Sequence, residues 1–376
     1  MKTFTRRGIL AVGAAIAAAP LVRGLPASGA PITLRFGVLV DSSGSTSVHG
    51  QRQLLGIRYQ ADAINKAAGY TRVELLVEDT GGDEAQTREG VARLLEQKPN
   101  ALIGTSTPWT GRIVAEAGQA AGVPVAIPSL GPIPTQSWVF RVGPAYRRFA
   151  PGYFRTVAQQ GRTVALLKLD ALDGPADREI DAAAAAEAGV DILQTLAVPA
   201  GTTELTGPVR ELMALGPDVL GISVLPPSNG SGVRDARAAG WNGPICVTPS
   251  AGHPGFLATA GTAAEGVRMY GPWLLAWRDA PVTLPNYVNM TSWAEDFEAV
   301  NGAVGSYAGF GADAVGILDQ AYQDGQDPAV ARERLETIEY LGASGTIRMA
   351  PENHAGVTDE SCTSMEVREG VWKPVE

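Results

Sequence analysis

The segment from Ala101 to Gly131 constrains the fold most strongly, because its pattern predicts one complete βαβ unit. An apolar strand, a polar loop, a helix and a turn lead to a second apolar strand that ends in another small polar loop. In a parallel sheet, Thr105–Thr110 and Ser129–Gly131 lie beyond the carboxyl ends of their strands, where open α/β sheets bind ligands. Their small side chains suit close backbone approach and hydroxyl hydrogen bonding. Ordinary βα loops have the same composition for reasons of turn geometry, and this segment alone favours neither interpretation.

Apolar strand patterns alternate with helical patterns along almost the whole chain, which predicts an α/β fold with doubly wound parallel sheets. Leu34–Val40 is the first predicted strand, and a second series of strands begins with Val164–Leu169. Near the end of the chain we expect a helix over Ala329–Leu341 and short strands near Thr346–Met349 and Ser364–Val367.

The first 30 residues have the pattern of an export signal. Lys2, Arg6 and Arg7 precede an apolar run over Gly8–Pro20, and small residues follow up to Ala30. The run is too short and too rich in alanine for a permanent membrane span. We therefore expect residues 1–30 to be removed and the mature protein to be soluble in the periplasm.

The route of export is predicted from Thr5–Leu10, which is similar to the motif of the twin-arginine pathway. This makes the twin-arginine machinery, which exports folded proteins, an expected partner. The alternative is a chance pair of arginines in a general secretory signal. Cleavage after Ala27 or Ala30 fits the small residues there, and no cysteine in this region suggests a lipid anchor.

Length and charge limit the domain organisation and the class of partner. Of the 376 residues, 346 remain without the predicted signal, which is more than one hydrophobic core usually serves, so we expect two lobes. Loss of the four positive charges of the signal changes the net charge from −9 to −13. Such an acidic chain argues against nucleic acid as a partner.

The residues that carry metal and redox chemistry are few. His49, His253 and His354 lack the spacing of metal ligands, and Cys246 and Cys362 are too far apart in sequence to show whether they pair. The chain also lacks the spacing of a dinucleotide fingerprint, a P-loop and a nucleophile elbow. We therefore expect no metal, no cofactor and no enzymatic activity. A hydrolase with dispersed Ser, His and Asp residues stays open as an alternative.

Several segments match one family in their order and spacing. They are FGVLVDSSGSTSVHG (Phe36–Gly50), LIGTSTPWTG (Leu102–Gly111), GVPVAIPS (Gly122–Ser129), VFRVGP (Val139–Pro144), DARAAGW (Asp235–Trp241), GFGADAVGIL (Gly309–Leu318) and SGTIRMAPENHAG (Ser344–Gly356). With them, nearly the whole mature chain resembles the leucine/isoleucine/valine-binding protein family, the type I periplasmic binding proteins of ABC transporters.

The resemblance implies two doubly wound, Rossmann-like lobes joined by a hinge of crossing segments, with a ligand held between them. The N-terminal lobe would contain residues 31–145 and about 273–345, and the C-terminal lobe residues 146–272 and about 346–376. Closure of such a hinge is favoured by ligands that contact both lobes. The implied function is capture of a small polar or amphipathic ligand by a monomeric protein that delivers it to ABC permease subunits. A periplasmic enzyme with a cofactor and a ligand sensor for a membrane receptor are the alternatives.

The family also implies which residues contact the ligand. Thr107–Thr110 and the loop Ser129–Gly131 fall where relatives bind the charged head of an amino acid, and Tyr146 and Arg147 fall near a crossing segment. The full set of candidate ligand contacts is His49, Thr107, Trp109, Thr110, Ser129, Leu130, Gly131, Tyr146, Arg147, Asp173, Leu225 and Ser250.

Three second-lobe positions depart from the family, because Asp173, Leu225 and Ser250 stand where Tyr, Tyr and an acid are frequent. A buried ammonium group needs a carboxylate partner, and Ser250 cannot supply one. Asp173 or Asp41 could compensate, although a role as a turn or helix-start residue explains Asp173 slightly better than ligand contact does. We therefore expect an amide, a carboxylate or another small metabolite as ligand, with an amino acid as the alternative if Asp173 replaces the missing acid.

Overall fold

The computed structural model describes residues 31–129 and 137–375, which form one compact unit from Ile32 onward. Its first half is a five-stranded parallel sheet in the order β2-β1-β3-β4-β5. The elements are β1 (Leu34–Val40), α1 (Ser47–Ala68), β2 (Val73–Asp79), α2 (Glu84–Glu96), β3 (Ala101–Ile103), α3 (Pro108–Ala121), β4 (Val125–Ile127) and β5 (Val139–Arg141).

The second sheet has seven strands in the order β14-β13-β10-β9-β8-β6-β7, with β13 and β14 antiparallel at one edge. The strands of this sheet and the helices between them are α4 (Tyr146–Ala158), β6 (Thr163–Leu169), α5 (Pro175–Ala188), β7 (Asp191–Val198), α6 (Thr206–Ala214), β8 (Val219–Ser223), α7 (Ser228–Ala238), β9 (Ile245–Val247), α8 (Pro254–Ala260), β10 (Arg268–Pro272), β13 (Cys362–Arg368) and β14 (Val371–Pro374). Between β10 and β13 the chain forms α9 (Tyr287–Asn301), α10 (Ser306–Ala321), α11 (Pro328–Leu335), β11 (Glu339–Leu341) and β12 (Thr346–Arg348), which lie outside this sheet.

Alternation of apolar side chains explains why both sheets are covered by helices on both faces. In β1, Phe36, Val38 and Val40 pack with α1 and α10 on one face, and Leu39 packs with α2 and α3 on the other. The second sheet repeats the arrangement, since Leu166 and Leu167 enter two different hydrophobic clusters. Strands buried on both faces are the ones that read as continuous apolar runs in the sequence.

The chain passes between the two sheets at three places in the described part. It leaves the first sheet after β5, returns after β10, and enters the second sheet again before β13. The returning helix α10 places Val315 and Leu318 in the core of the first sheet, and Ile347 and Val357 join the same core. None of the helices in residues 31–129 and 137–375 combines the length and the hydropathy that a membrane span requires.

The predicted α/β fold with doubly wound parallel sheets is confirmed, and β1 has the predicted limits. The helix predicted over Ala329–Leu341 is wrong in its second half, because α11 ends at Leu335 and Glu339–Leu341 pairs with β12 as a strand. Pairing with a neighbouring strand outweighs helix propensity there. The two cysteines are free thiols, and they lie in β9 and β13 on either side of β10.

The close crossing of α1 and α10 depends on Gly56. A Cβ atom at this position would lie 1.9 Å from the carbonyl oxygen of Ala308, a backbone atom that cannot rotate away. We expect Gly56→Ala to lower the free energy of unfolding by about 3 kcal/mol, the upper end of the usual cost of overpacking. Gly207→Ala in α6 is the matched control, because a Cβ there meets nothing within 4 Å. Urea unfolding of both variants tests this, and equal stability of the two would contradict the proposed crowding.

Candidate functional site

A cavity lies where the carboxyl ends of the two sheets meet. In each sheet the five parallel strands have the same relative order, so the switch points fall between β1 and β3 and between β6 and β8. Ligands bind at such points in open α/β sheets. The cavity has a volume of ≈ 50 Å³. Its lining residues are Ser106, Thr107, Pro108, Trp109, Pro144, Tyr146, Phe149, Leu169, Leu172, Ser223, Leu225, Thr248, Pro249, Ser250 and Tyr307.

The cavity wall combines apolar surface with hydroxyl groups. None of the lining residues in the described part of the chain carries a charged side chain. Aromatic rings come from both sides, with Trp109 and Tyr307 on elements of the first sheet and Phe149 on α4. Walls of this kind bind ligands with an apolar body and few polar groups.

The buried carboxylate of Asp41 organises the first-sheet side of the cavity. Asp41 follows β1 and accepts hydrogen bonds from the hydroxyls of Thr80 (2.5 Å), Ser106 (2.5 Å) and Thr110 (3.2 Å). Burial raises the pKa of Asp41, and these hydrogen bonds oppose the shift. The hydroxyl of Thr107 lies 2.5 Å from that of Thr110. The loop hydroxyls that the sequence assigned to a ligand are thus already engaged in this network.

The first turn of α3 borders the same cavity through Thr107, Pro108 and Trp109. Backbone N–H groups in the first turn of a helix have no partner within the helix, and the helix dipole favours a negative charge beside them. Pro108 occupies the first helical position, where its missing N–H costs no hydrogen bond. The indole of Trp109 is fixed by a 3.0 Å hydrogen bond to the carbonyl of Gly82.

His49 connects the two sides of the cavity. It lies on α1, its ring stacks on that of Tyr307 at 4.0 Å between centroids, and its Nε2 is 3.3 Å from the carbonyl oxygen of Ser250. Since a carbonyl only accepts, we assign the proton to Nε2. Burial, assisted by the nearby His253, lowers the pKa of His49 to about 3, so the ring is neutral at physiological pH.

The second-sheet side is formed by the ends of β6, β8 and β9. The hydroxyl of Ser250 donates to the carbonyl of Val224 at 2.9 Å and lies 3.0 Å from the hydroxyl of Thr248. Tyr146 begins α4, and its hydroxyl donates to the carboxylate of Asp181 at 2.5 Å. The polar atoms on this side are therefore largely oriented by protein contacts.

The structure brings only some of the predicted contacts to this cavity. Thr107, Trp109, Tyr146, Leu225 and Ser250 line it. His49, Thr110 and Ser129 are buried and are not among its lining residues. Leu130 and Gly131 lie outside the described residues.

Asp173 and Arg147 are placed elsewhere. The carboxylate of Asp173 is 2.8 Å from Arg178 and 3.7 Å from Lys168, so its charge is already paired inside the protein. Arg147 lines a separate surface depression with Glu179 and Glu187. Their predicted ligand contacts stay predictions.

Sequence reasoning missed several lining residues, and some of them had a usable signal. Leu169 and Ser223 end β6 and β8, and Thr248 follows β9, so the rule that ligands bind at carboxyl ends could have found them. Tyr307 and Phe149 lie on helices, and nothing in their local sequence distinguishes them from core residues.

Comparison with known proteins identifies the family. A family profile described as periplasmic binding protein matches residues 33–370. The chain belongs to this family. The predicted membership of the leucine/isoleucine/valine-binding protein family is thereby confirmed. Proteins of this family are typically exported. A search of curated proteins found no match.

Solved structures agree with the family in fold. An extracellular ligand-binding receptor from Rhodopseudomonas palustris HaA2 is 22% identical, with a TM-score of 0.82 over 92% of this chain and 100% of that one. The leucine-binding protein LivK from Thermotoga maritima is 20% identical, with a TM-score of 0.80 over 92% and 98%. The substrate-binding protein LivJ from Streptococcus pneumoniae, solved with isoleucine, is 18% identical, with a TM-score of 0.78 over 91% and 98%. At these identities the likeness shows the fold alone.

The neutral state of His49 predicts how the stability of the protein depends on pH. Its pKa is lowered in the folded protein, so the unfolded chain binds more protons and stability falls as pH drops below about 6.5. Between pH 7.5 and 5.5 we expect His49 to contribute a loss of about 1.4 kcal/mol in the free energy of unfolding. His49→Gln keeps an N–H donor for Ser250 but cannot be protonated. Denaturant unfolding at both pH values should show the smaller loss in the variant, and equal losses would mean that His49 does not stay neutral on folding.

Proposed function

We propose that this protein is the solute-binding component of an ABC-type importer, and that it binds its ligand in the cavity without transforming it chemically. The family supports this, as does the position of the cavity between two sheets that are joined by three crossings. A ligand that touches both Trp109 and Leu225 favours the closed arrangement over an open one. The protein then acts as a monomer that presents its closed form to membrane permease subunits. The lobe limits derived from the sequence stay a prediction.

The ligand, we infer, is a small carboxylate or amide with an apolar body and no ammonium group. The observation that carries this is the uncharged wall beside the first turn of α3. Helix N–H groups suit a carboxylate, whereas an ammonium would meet no carboxylate among the lining residues that are described. Asp173, the candidate to replace the missing acid, is held by Arg178 and Lys168.

Amino acids and their deaminated analogues give matched probes. Leucine and 4-methylpentanoate have the same apolar body and differ only in the ammonium group, as do phenylalanine and 3-phenylpropionate. We expect at least one deaminated acid to bind at least about a hundredfold tighter than its amino acid, because an unpaired buried ammonium costs several kcal/mol. Isothermal calorimetry measures this, and 4-methylpentanamide separates a carboxylate site from an amide site.

The control for this test is Asp173→Ala, which should leave the order of affinities unchanged if Asp173 serves only its internal ion pairs. Leucine that binds as tightly as 4-methylpentanoate would contradict the inferred ligand class. Chromatography of the recovered ligand tests the absence of turnover, and a transformed ligand would favour the enzyme alternative.

We also propose that the protein reaches the periplasm through the twin-arginine pathway. Support comes from the sequence, where Arg6 and Arg7 precede the apolar run. Arg6→Lys with Arg7→Lys keeps the charge but removes the guanidinium pair, and we expect it to block export. Cell fractionation gives the result, with Lys2→Arg as a control for a change of cation outside the pair. Undiminished periplasmic protein from the double variant would indicate the general secretory route.

A further inference from the structure

A second, smaller cavity adjoins the first behind its second-sheet wall. Tyr146, Phe149, Ser223 and Thr248 line both cavities, so the two are separated by no more than these shared side chains. The smaller one has a volume of ≈ 10 Å³, about the space that one water-sized group occupies. We call it the annex.

Lys168 brings a buried positive charge to the annex. It lies near the end of β6 and is 1% exposed. Its ammonium is 2.6 Å from the carboxylate of Asp181 and 5.6 Å from the ring centroid of Tyr146, and Asp173 is more distant at 3.7 Å. Among the described residues, the ammonium makes one hydrogen bond although it has three donors. It can therefore donate to an acceptor that enters the annex.

Tyr153 supplies a second unused polar group. This α4 residue lines the annex and is 5% exposed, and its hydroxyl has no hydrogen-bond partner within residues 31–129 and 137–375. A Cβ atom on Gly221 would lie 2.5 Å from that hydroxyl, so the glycine leaves the space in which the hydroxyl sits. A buried hydroxyl without a partner is costly, and such a group in a folded protein requires an explanation.

We propose that the annex binds one oxygen atom at the end of the ligand that is remote from its carboxylate. This inference rests on the proposed function and narrows the ligand class to monocarboxylates that carry a distal hydroxyl or carbonyl group. Such an oxygen accepts a hydrogen bond from Lys168 and pairs with the hydroxyl of Tyr153. A second carboxylate suits the annex poorly, because it would add a negative charge beside Asp181, which already neutralises Lys168.

Phenylpropionates test the proposal because they form a series that differs only at the distal position. We expect 3-(4-hydroxyphenyl)propionate to bind at least about tenfold tighter than 3-phenylpropionate, as a hydrogen bond to a charged group allows. 3-(4-Carboxyphenyl)propionate should bind more weakly than either. Isothermal calorimetry on the mature protein gives the three dissociation constants.

Variants then locate the selectivity. Lys168→Met with Asp181→Asn removes both members of the ion pair, while Asp173 keeps its partner Arg178. We expect the affinity ratio of the hydroxylated to the plain acid to fall to about 1. Lys373→Met with Asp279→Asn is the matched control, because it makes the same two changes at a partly exposed ion pair of 2.9 Å, and it should retain the ratio. Tyr153→Phe removes one oxygen atom only and should lower the ratio about threefold.

The outcomes distinguish this inference from the proposed function. If the plain acid binds and the hydroxyl adds no affinity, the annex proposal fails and the proposed function stands. If the selectivity survives both annex variants, the distal oxygen binds elsewhere and the annex proposal again fails. If neither the phenylpropionates nor 4-methylpentanoate bind, the inferred ligand class fails and the annex proposal fails with it.

Discussion

The first-sheet side of the site depends on the hydrogen bonds that the buried carboxylate of Asp41 accepts. It follows β1, the strand between β2 and β3 in the sheet order, so the loops after all three strands are within its reach. Thr80, Ser106 and Thr110 each donate a hydroxyl to it, one from the loop after β2, one from the loop after β3 and one from α3. The network fixes the first turn of α3 against the cavity while using neutral donors. The hydroxyl donors thereby stabilise a buried acid, and none of the described residues that line the cavity is a cation.

The second-sheet side of the site also contains a buried charged side chain. Lys168 near the end of β6 has a position in its sheet like that of Asp41 beyond β1, since both strands occupy the second place in the order of their parallel strands. Here the buried charge is a cation, and Asp181 neutralises it from α5 at 2.6 Å. The ring of Tyr146 lies 5.6 Å from the ammonium of Lys168, and its hydroxyl donates to the carboxylate of Asp181. Replacing such a pair by apolar residues is often neutral or stabilising in other proteins, so fold stability alone does not account for it.

The sequence determines the architecture more clearly than the site. Strands such as Leu34–Val40 and Val164–Leu169 are buried on both faces, and this burial produces the continuous apolar runs that predict them. The site depends instead on where individual side chains turn. Thr110 has the residue type of a ligand contact and the sequence predicts it in a loop, yet it lies in the first turn of α3 and its hydroxyl donates to Asp41. By its position in the sequence, Asp173 can replace the missing acid, yet its carboxylate pairs with Arg178 five residues later. Neither orientation is encoded in spacing along the chain.

The proposed closure on a ligand depends on small differences in free energy between the open and closed arrangements. His49 links the two sides through one hydrogen bond to Ser250, and a hydrogen bond of this kind contributes about 0.5–1.5 kcal/mol. A second hydrogen bond between the two sides joins the backbone N–H of Ser306 to the carbonyl of Gly252 at 2.8 Å. In the proposed function the ligand adds to these contacts by touching both walls, and it favours the closed form only by the difference in its contacts between the two arrangements. An uncharged wall makes this selective, because an apolar body gains from contact with both sides, whereas a charged group without a partner loses more than the extra contacts return.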